Sequence, residues 1–340
     1  HVLGQIDIDN NGISGIEKFY DTDLKKNDNQ SIHLSLDTNL QYLIREELLK
    51  SISTFQSKGA ASLLMDVNTG EILSLISLPD YNLNSRQDLK DKNFTNKITK
   101  GVFELGSIFK TFTLALAIED NLYSPSTIVK NIPDKIQCSK FTINEHDEMP
   151  SNLTLKEILV RSSNIGTIKV ARSLGEDKLR NFLEDLNLLN KINLELDEIG
   201  SPLKFLWNKC KLETVSYGHG ITTTPLQAAS AYASISNGGI VVNPTLIKNK
   251  AMNSKTKRIV SLKTSKNINN MLREVVVSAD GTASLAEVNG YYVGGKTGTA
   301  NKNINGEYTS KKLTSFISVF PTNNPKYLLL TLIDEPKPAP

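Results

Sequence analysis

Ser107 and Lys110 stand three residues apart in "GVFELGSIFKTFTLALAIEDN", residues 101–121, where the lysine leads into an apolar run. A cation at the mouth of a buried helix is costly unless something nearby uses it. Residues i and i+3 share a helix face, so the hydroxyl and the amine would project side by side. Serine alone is a weak nucleophile and needs an adjacent base. A neutral lysine amine can be that base once its pKa falls from about 10.4. Burial, neighbouring positive charge and the partial positive charge of a helix N-terminus all push it down. A fall of about 3 units corresponds to roughly 4 kcal/mol, within reach of a dry site.

A lone Ser-x-x-Lys is common by chance, but two further stretches change its weight. "RSSNIG", residues 161–166, puts Ser162 and Asn164 on a turn or helix end after an apolar helix. "GGKTGTA", residues 294–300, puts Lys296 in an apparent strand, followed by the small residues Thr297, Gly298 and Thr299. Each element carries little by itself. The three in this order, across a domain-sized span, form a specific combination.

The elements that must position these residues follow from periodicity. Residues 1–34 read as an irregular lead-in. Residues 35–57 read as a helix capped by Asp37, with Leu40, Leu43, Ile44, Leu48 and Ile52 at helical spacing. Two apolar runs flank Asn68-Thr69-Gly70 as a hairpin. A helix is expected to begin near Ser107. Residues 150–240 are helix-rich, with Pro225 suited to a first helical turn and Gly238-Gly239 to the end of the same helix. Strands return from about residue 290. The order strands, helices, strands predicts an α+β domain with one mainly antiparallel sheet whose edges come from opposite ends of the chain.

Composition narrows the function classes. Lys and Arg number 39 against 36 Asp and Glu, a net charge of +3 with no basic clustering, so no nucleic-acid footprint is read. The four histidines lie far apart without a ligand spacing, and no metal or other cofactor is expected. Cys138 and Cys210 are too few for a disulfide framework or a structural zinc site, and whether they pair is open. No apolar run approaches the ~18 residues that span a bilayer. The start "HVLGQIDIDN" and end "DEPKPAP" read as those of a segment of something longer.

With its Ser-x-x-Lys, Ser-x-Asn and Lys-Thr-Gly elements, the chain resembles the transpeptidase domain of class B penicillin-binding proteins. "GISGIEKFYD", "TGEILSLISLPDYN", "SYGHGITTTPLQAASAYASISNGG" and "IDEP" extend the likeness over nearly its whole length. "SYGHGITTTPLQ" and the surroundings of "TGEIL" look closer to the division-specific septal (FtsI-type) branch than to the elongation branch. The resemblance implies the penicillin-binding and serine β-lactamase-like fold, an antiparallel sheet flanked by helices with a helical subdomain. Residues 1–34 would close an N-terminal pedestal region and 35–340 would form the transpeptidase domain. The family's membrane anchor, most of its pedestal and the final helix over the sheet would lie outside this segment, and that sheet face would lose apolar cover.

It also implies roles. Ser107 would attack the carbonyl between the terminal D-alanines of a peptidoglycan stem peptide, or a β-lactam. Lys110 would be the acylation base. Ser162 would bond Lys110 and relay a proton to the leaving D-alanine. Asn164 would hold the Lys110 side chain and contact a substrate amide. Lys296 would attract the terminal carboxylate, with Thr297 and Thr299 hydroxyls as partners. The backbone N–H groups of Ser107 and Thr299 would form the oxyanion hole. Gly298 would leave room for substrate added as a strand beside it. Divisome membrane proteins, including a glycosyltransferase, would be partners, with the catalytic domain in the periplasm. Leu105 and Ile108 depart from the family's usual Pro and Thr.

Other readings share these residues. A class A β-lactamase would add a glutamate, and "EDLN", residues 184–187, superficially fits. Its place beside Leu183, Leu186 and Leu189 marks a solvent face instead. A β-lactam sensor and a D,D-carboxypeptidase are further alternatives. His219 in "YGHGI" is expected to pack or bond near the site. "DGTA", residues 280–283, echoes "TGTA" but reads as a loop and helix start.

Overall fold

The computed structural model describes residues 1–26, 31–83, 92–250, 257–304 and 306–338. The lead-in is more ordered than its sequence suggests. It holds two short helices, α1 (Gly15–Phe19) and α2 (Asp21–Lys26). Val2 and Ile16 are buried in the main core, which is why a polar, glycine-rich stretch stays ordered.

Helix α3 (Thr38–Phe55) begins where Asp37 caps it, its carboxylate accepting from the Asn39 and Leu40 N–H groups. The apolar stripe is narrower than expected. Ile44, Leu48 and Ile52 pack on Ala60, Ile76 and Leu78, whereas Leu43 is exposed. Strands β1 (Gly59–Asp66) and β2 (Ile72–Leu78) form the expected hairpin. Asp66 Oδ1 accepts from the Asn68 and Thr69 N–H groups, and Gly70 takes φ +77° to close the turn.

Helix α4 (Lys110–Glu119) runs through the interior, every residue from Lys110 to Ile118 buried. The strands β3 (Ile128–Val129), β4 (Lys135–Cys138), β5 (Phe141–Asn144) and β6 (Leu153–Thr154) follow, β4 and β5 as a separate hairpin. The helical region comprises α5 (Leu155–Val160), α6 (Asn164–Leu174), α7 (Glu176–Asp185), α8 (Lys211–Ser216) and α9 (Pro225–Ser236). Pro225 is at the first turn of α9, beside a capping box of Thr224 and Gln227. Cys138 and Cys210 are joined as a disulfide with a Cα–Cα distance of 5.7 Å, tying the β4–β5 hairpin to the start of α8.

Helix α10 (Leu262–Val277) precedes β7 (Gly294–Ile304), β8 (Glu307–Phe320) and β9 (Tyr327–Asp334). The five-stranded sheet has the order β2-β1-β9-β8-β7 and is antiparallel throughout. Its edges come from opposite ends of the chain, as expected. Helix α3 covers β1 and β2 on one face, while α9 and α10 pack on the other. Along β9, Leu328, Leu330 and Leu332 are buried and Tyr327, Leu329, Thr331 and Ile333 only half-buried. Strand β7 is an edge, so one side of its backbone ladder is left for a partner strand.

Candidate active site

Ser107 lies in a 3-10 turn over Gly106–Phe109 that runs into α4, so the α-helix starts three residues later than expected. Side chains at i and i+3 eclipse in 3-10 geometry, which aligns Ser107 and Lys110 more directly than an α-turn would. Tyr232 of α9 anchors this turn. Its hydroxyl donates to the Ile108 carbonyl at 2.8 Å and shares a hydrogen bond with Thr111 Oγ1 at 2.7 Å. Its ring packs edge-on against Phe112, and burial raises its pKa. Leu105 and Ile108, the two departures from the family pattern, are both buried and pack this segment into the core.

Strand β7 backs directly onto the turn. Gly106 has φ +60°, and a Cβ there would lie 2.4 Å from the Thr299 carbonyl oxygen. A Cβ on Gly298 would lie 2.3 Å from the Leu105 carbonyl oxygen and 2.5 Å from Ser315 Oγ. Gly298 is therefore required by packing against the serine's own loop. This packing requirement stands beside the expected role of leaving room for substrate.

Lys110 is wholly buried. Its Nζ donates to the Ser162 carbonyl and lies 3.0 Å from Ser162 Oγ. Burial pushes the amine well below its ordinary pKa; the charge of Lys296 pushes the same way, and Glu145 opposes. A neutral amine has two N–H donors, enough for both Ser162 oxygens, and one lone pair that remains for a hydroxyl proton.

Ser162 adopts φ +60°, a left-handed conformation that costs a non-glycine residue about 1–2 kcal/mol. The turn faces both its carbonyl and its hydroxyl toward Lys110. Ser163 caps α6 by accepting from the Gly166 N–H. Asn164 differs from expectation. Its Nδ2 donates to the Asn144 carbonyl at 3.2 Å, and it makes no bond to Lys110. Its Oδ1 is buried without a hydrogen-bond partner.

Lys296 is also wholly buried, and burial pushes its pKa down to about 7. Its Nζ reaches the Thr297 carbonyl at 3.2 Å and Thr297 Oγ1 at 3.4 Å. Thr299 is exposed on the same strand. The fold thus brings Ser107, Lys110, Ser162, Asn164 and the 296–299 strand together through contacts of β7, the 3-10 turn, α4 and α6.

Three features escaped the sequence reading. Glu145, after β5, touches the Ser162–Asn164 segment across a separation that no local pattern reveals. "DGTA" forms a loop before a 3-10 turn at Ser284–Ala286, and its Thr282 Oγ1 accepts from Thr297 Oγ1 at 3.1 Å. The neighbouring Asp280 pairs with Arg161 at 2.5 Å, so this loop bridges two of the three motifs. The repeated Gly-Thr-Ala was the available signal. Glu104, three residues before Ser107, accepts from Tyr308 at 2.7 Å and lies 3.3 Å from His219 Nδ1. His219 stacks on Tyr308, consistent with a packing and bonding role. Glu184 of "EDLN" is exposed, as expected. Among the described residues no cluster of His, Cys, Asp or Glu could hold a metal ion.

Residues 60–339 match the penicillin binding protein transpeptidase domain. The chain is 32% identical to the probable peptidoglycan D,D-transpeptidase FtsI of Caulobacter vibrioides, over 99% of its own length and 59% of that protein. It spans about six tenths of the length of several such curated relatives. The transpeptidase domain of Burkholderia pseudomallei penicillin-binding protein 3 superposes with TM-score 0.81 at 30% identity, covering 90% of this chain and 88% of that one. Penicillin-binding protein 3 of Mycobacterium tuberculosis complexed with aztreonam gives 0.88 at 25% identity, covering 98% and 82%. A serine one turn before a buried lysine, backed by a Lys-Thr-Gly edge strand and matched over this span, makes the chain a member of the penicillin-binding protein transpeptidase family.

Proposed function

We propose that this chain carries the catalytic domain of a serine D,D-transpeptidase that cross-links peptidoglycan stem peptides in septal wall synthesis and is acylated by β-lactams. The observation that carries the reading is the fully buried Lys110 amine, hydrogen-bonded to Ser162 Oγ one helical turn from Ser107. In the proposed cycle Lys110 accepts the Ser107 proton as Oγ attacks the carbonyl of the penultimate D-alanine. Backbone N–H groups of Ser107 and Thr299 receive the oxyanion, and each such donor is worth about 10²–10³ in rate. The C–N bond breaks, and the proton passes through Ser162 Oγ to the departing D-alanine nitrogen. An acceptor amine then attacks the ester, giving its proton back through Lys110 to Ser107.

In this reading Lys296, with the Thr297 and Thr299 hydroxyls, binds the donor's terminal carboxylate. Substrate backbone pairs with the free side of β7. The unfilled Asn164 Oδ1 accepts an N–H from substrate, or from Lys110 after rearrangement. Gly298 keeps the strand close to the nucleophile. Residues 35–340 are the transpeptidase domain and 1–34 the end of a preceding pedestal region.

We infer further that the domain faces the periplasm, tethered to the inner membrane beside divisome proteins that include a glycosyltransferase. The Cys138–Cys210 disulfide supports an oxidising compartment. Among the described residues no helix is long and apolar enough to cross a membrane. The test is intact-protein mass spectrometry after penicillin exposure with proteolytic mapping. A stable adduct on Ser107, absent from Ser107→Ala, is expected. Rapid hydrolysis of nitrocefin, or an adduct elsewhere, overturns the reading.

A further inference from the structure

Glu145 belongs to none of the three motifs, yet its carboxylate is bonded to the second of them at three points. Ser163 Oγ donates to it at 2.5 Å, the Asn164 N–H at 2.7 Å and the Ile165 N–H at 2.9 Å. The preceding residue adds a fourth tie, the Asn144 carbonyl accepting from Asn164 Nδ2. One end of the β4–β5 hairpin therefore holds the first turn of α6 by backbone and side chain together. A carboxylate at a helix N-terminus is favoured by the exposed N–H groups and the helix dipole.

What this grip secures is the residue just before it. Ser162 is held in a left-handed conformation that a serine leaves readily when released. In that conformation its carbonyl and hydroxyl both meet Lys110. The hairpin itself is not free to drift. The Cys138–Cys210 bond fastens β4 to the start of α8, which packs against α6. Hairpin, α8 and α6 are thus each tied to the other two.

Charge adds to geometry. Lys110 is faced by Lys296 from β7 and by Glu145 from the hairpin, and the two act on its proton in opposite directions. Asp134, just before β4, and Asp147 and Glu148, in the loop after β5, line the same cleft as Glu145. Glu145 is the carboxylate among these that bonds the Ser162–Asn164 segment.

We propose that Glu145 is a positioning residue of the acyl-transfer reaction: it fixes the Ser162 turn so that Ser162 meets the Lys110 amine. The inference rests on the proposed transpeptidase reading, and its failure can be told apart from that reading's failure. The experiment measures the second-order acylation rate by a fluorescent penicillin from about pH 5.5 to 9.5. The wild-type chain is compared with Glu145→Gln, Glu145→Ala and Glu145→Asp, with thermal melting alongside.

Glu145→Ala is expected to slow acylation at least 10-fold at a temperature where melting shows it folded. Glu145→Asp is expected to restore part of that loss. Glu145→Gln, which keeps one of the two acceptor oxygens, able to serve Ser163 Oγ and the Ile165 N–H, but not the charge, is expected to stay within about 5-fold at its optimum. Its rising pH limb should move to lower pH, because the neutral amine no longer has an anion opposing it. Should Glu145→Ala not fold, the shift in Glu145→Gln carries the test. Wild-type rates and an unmoved limb in the folded variants overturn the proposal while leaving the Ser107 assignment intact. Absence of any Ser107 adduct in the wild-type chain overturns both.

Discussion

Lys110 Nζ and Ser162 Oγ lie 3.0 Å apart although 52 residues of chain separate them. The lysine enters from the start of a buried helix and the serine from a left-handed turn. Lys110→Met should therefore remove the base without opening a cavity. Acylation by a fluorescent penicillin should fall at least 100-fold, with melting at pH 7 unchanged or raised, because a desolvated amine is exchanged for an apolar side chain. A variant that acylates within 10-fold of wild type would mean the proton goes elsewhere.

Lys296 gives a pH dependence with a definite sign. Its pKa falls from an ordinary 10.5 to about 7 on folding. Between those values the unfolded chain holds a proton that the folded chain lacks. Stability from this group is thus fully present above about 10.5, declines as pH falls and is lowest below 7. The melting temperature should rise from pH 7 to 9, and Lys296→Met should flatten that rise.

The same titration should shape reactivity in the opposite direction. Deprotonation of Lys110 gives the rising limb of kcat/KM, and deprotonation of Lys296 gives a falling limb near pH 7 for ligands bearing a carboxylate. A ligand without an anionic group should lack that falling limb. Identical profiles for the two ligand types would remove Lys296 from carboxylate recognition.

Gly298→Ala tests the packing of β7 on the nucleophile's loop. The added methyl would sit 2.3 Å from the Leu105 carbonyl oxygen, a backbone atom that cannot swing aside. Overpacking of this kind costs about 1–3 kcal/mol. Melting should fall accordingly, and acylation should fall for small and large β-lactams alike. A loss confined to bulky ligands would point to substrate clearance as the dominant demand at this position.

Thr282 should matter through Thr297. Thr282→Val removes the acceptor that orients the Thr297 hydroxyl. Apparent KM for carboxylate-bearing ligands should rise several-fold with little change in the limiting acylation rate, and Thr282→Ser should recover it. Equal effects on neutral ligands would make the contact purely structural.

The Cys138–Cys210 bond closes a span of 72 residues. Chain-entropy reasoning gives about 4 kcal/mol for such a loop. Reduction should lower the melting temperature, and hydrogen exchange should quicken first in β4 and β5. Unchanged melting after verified reduction would show that the hairpin holds without it.

The spacing of Ser107 and Lys110 and the order of the three motifs were legible along the chain, because those two residues are linked by a single turn whose geometry is local. The sequence by itself also determined the β1–β2 hairpin and the Asp37 cap, where turn and cap chemistry act within four residues. The crowding at Gly298, the meeting of Cys138 with Cys210 and the reach of Glu145 and Thr282 to the motifs emerge once the chain is folded. Those relations join residues brought together by sheet order and helix packing. A carboxylate that caps a helix 18 residues downstream leaves no periodic trace in its own neighbourhood. The buried lysines are the meeting point of both levels. Their spacing was legible along the chain, but the shift in their proton affinity arises from the protein mass folded around them.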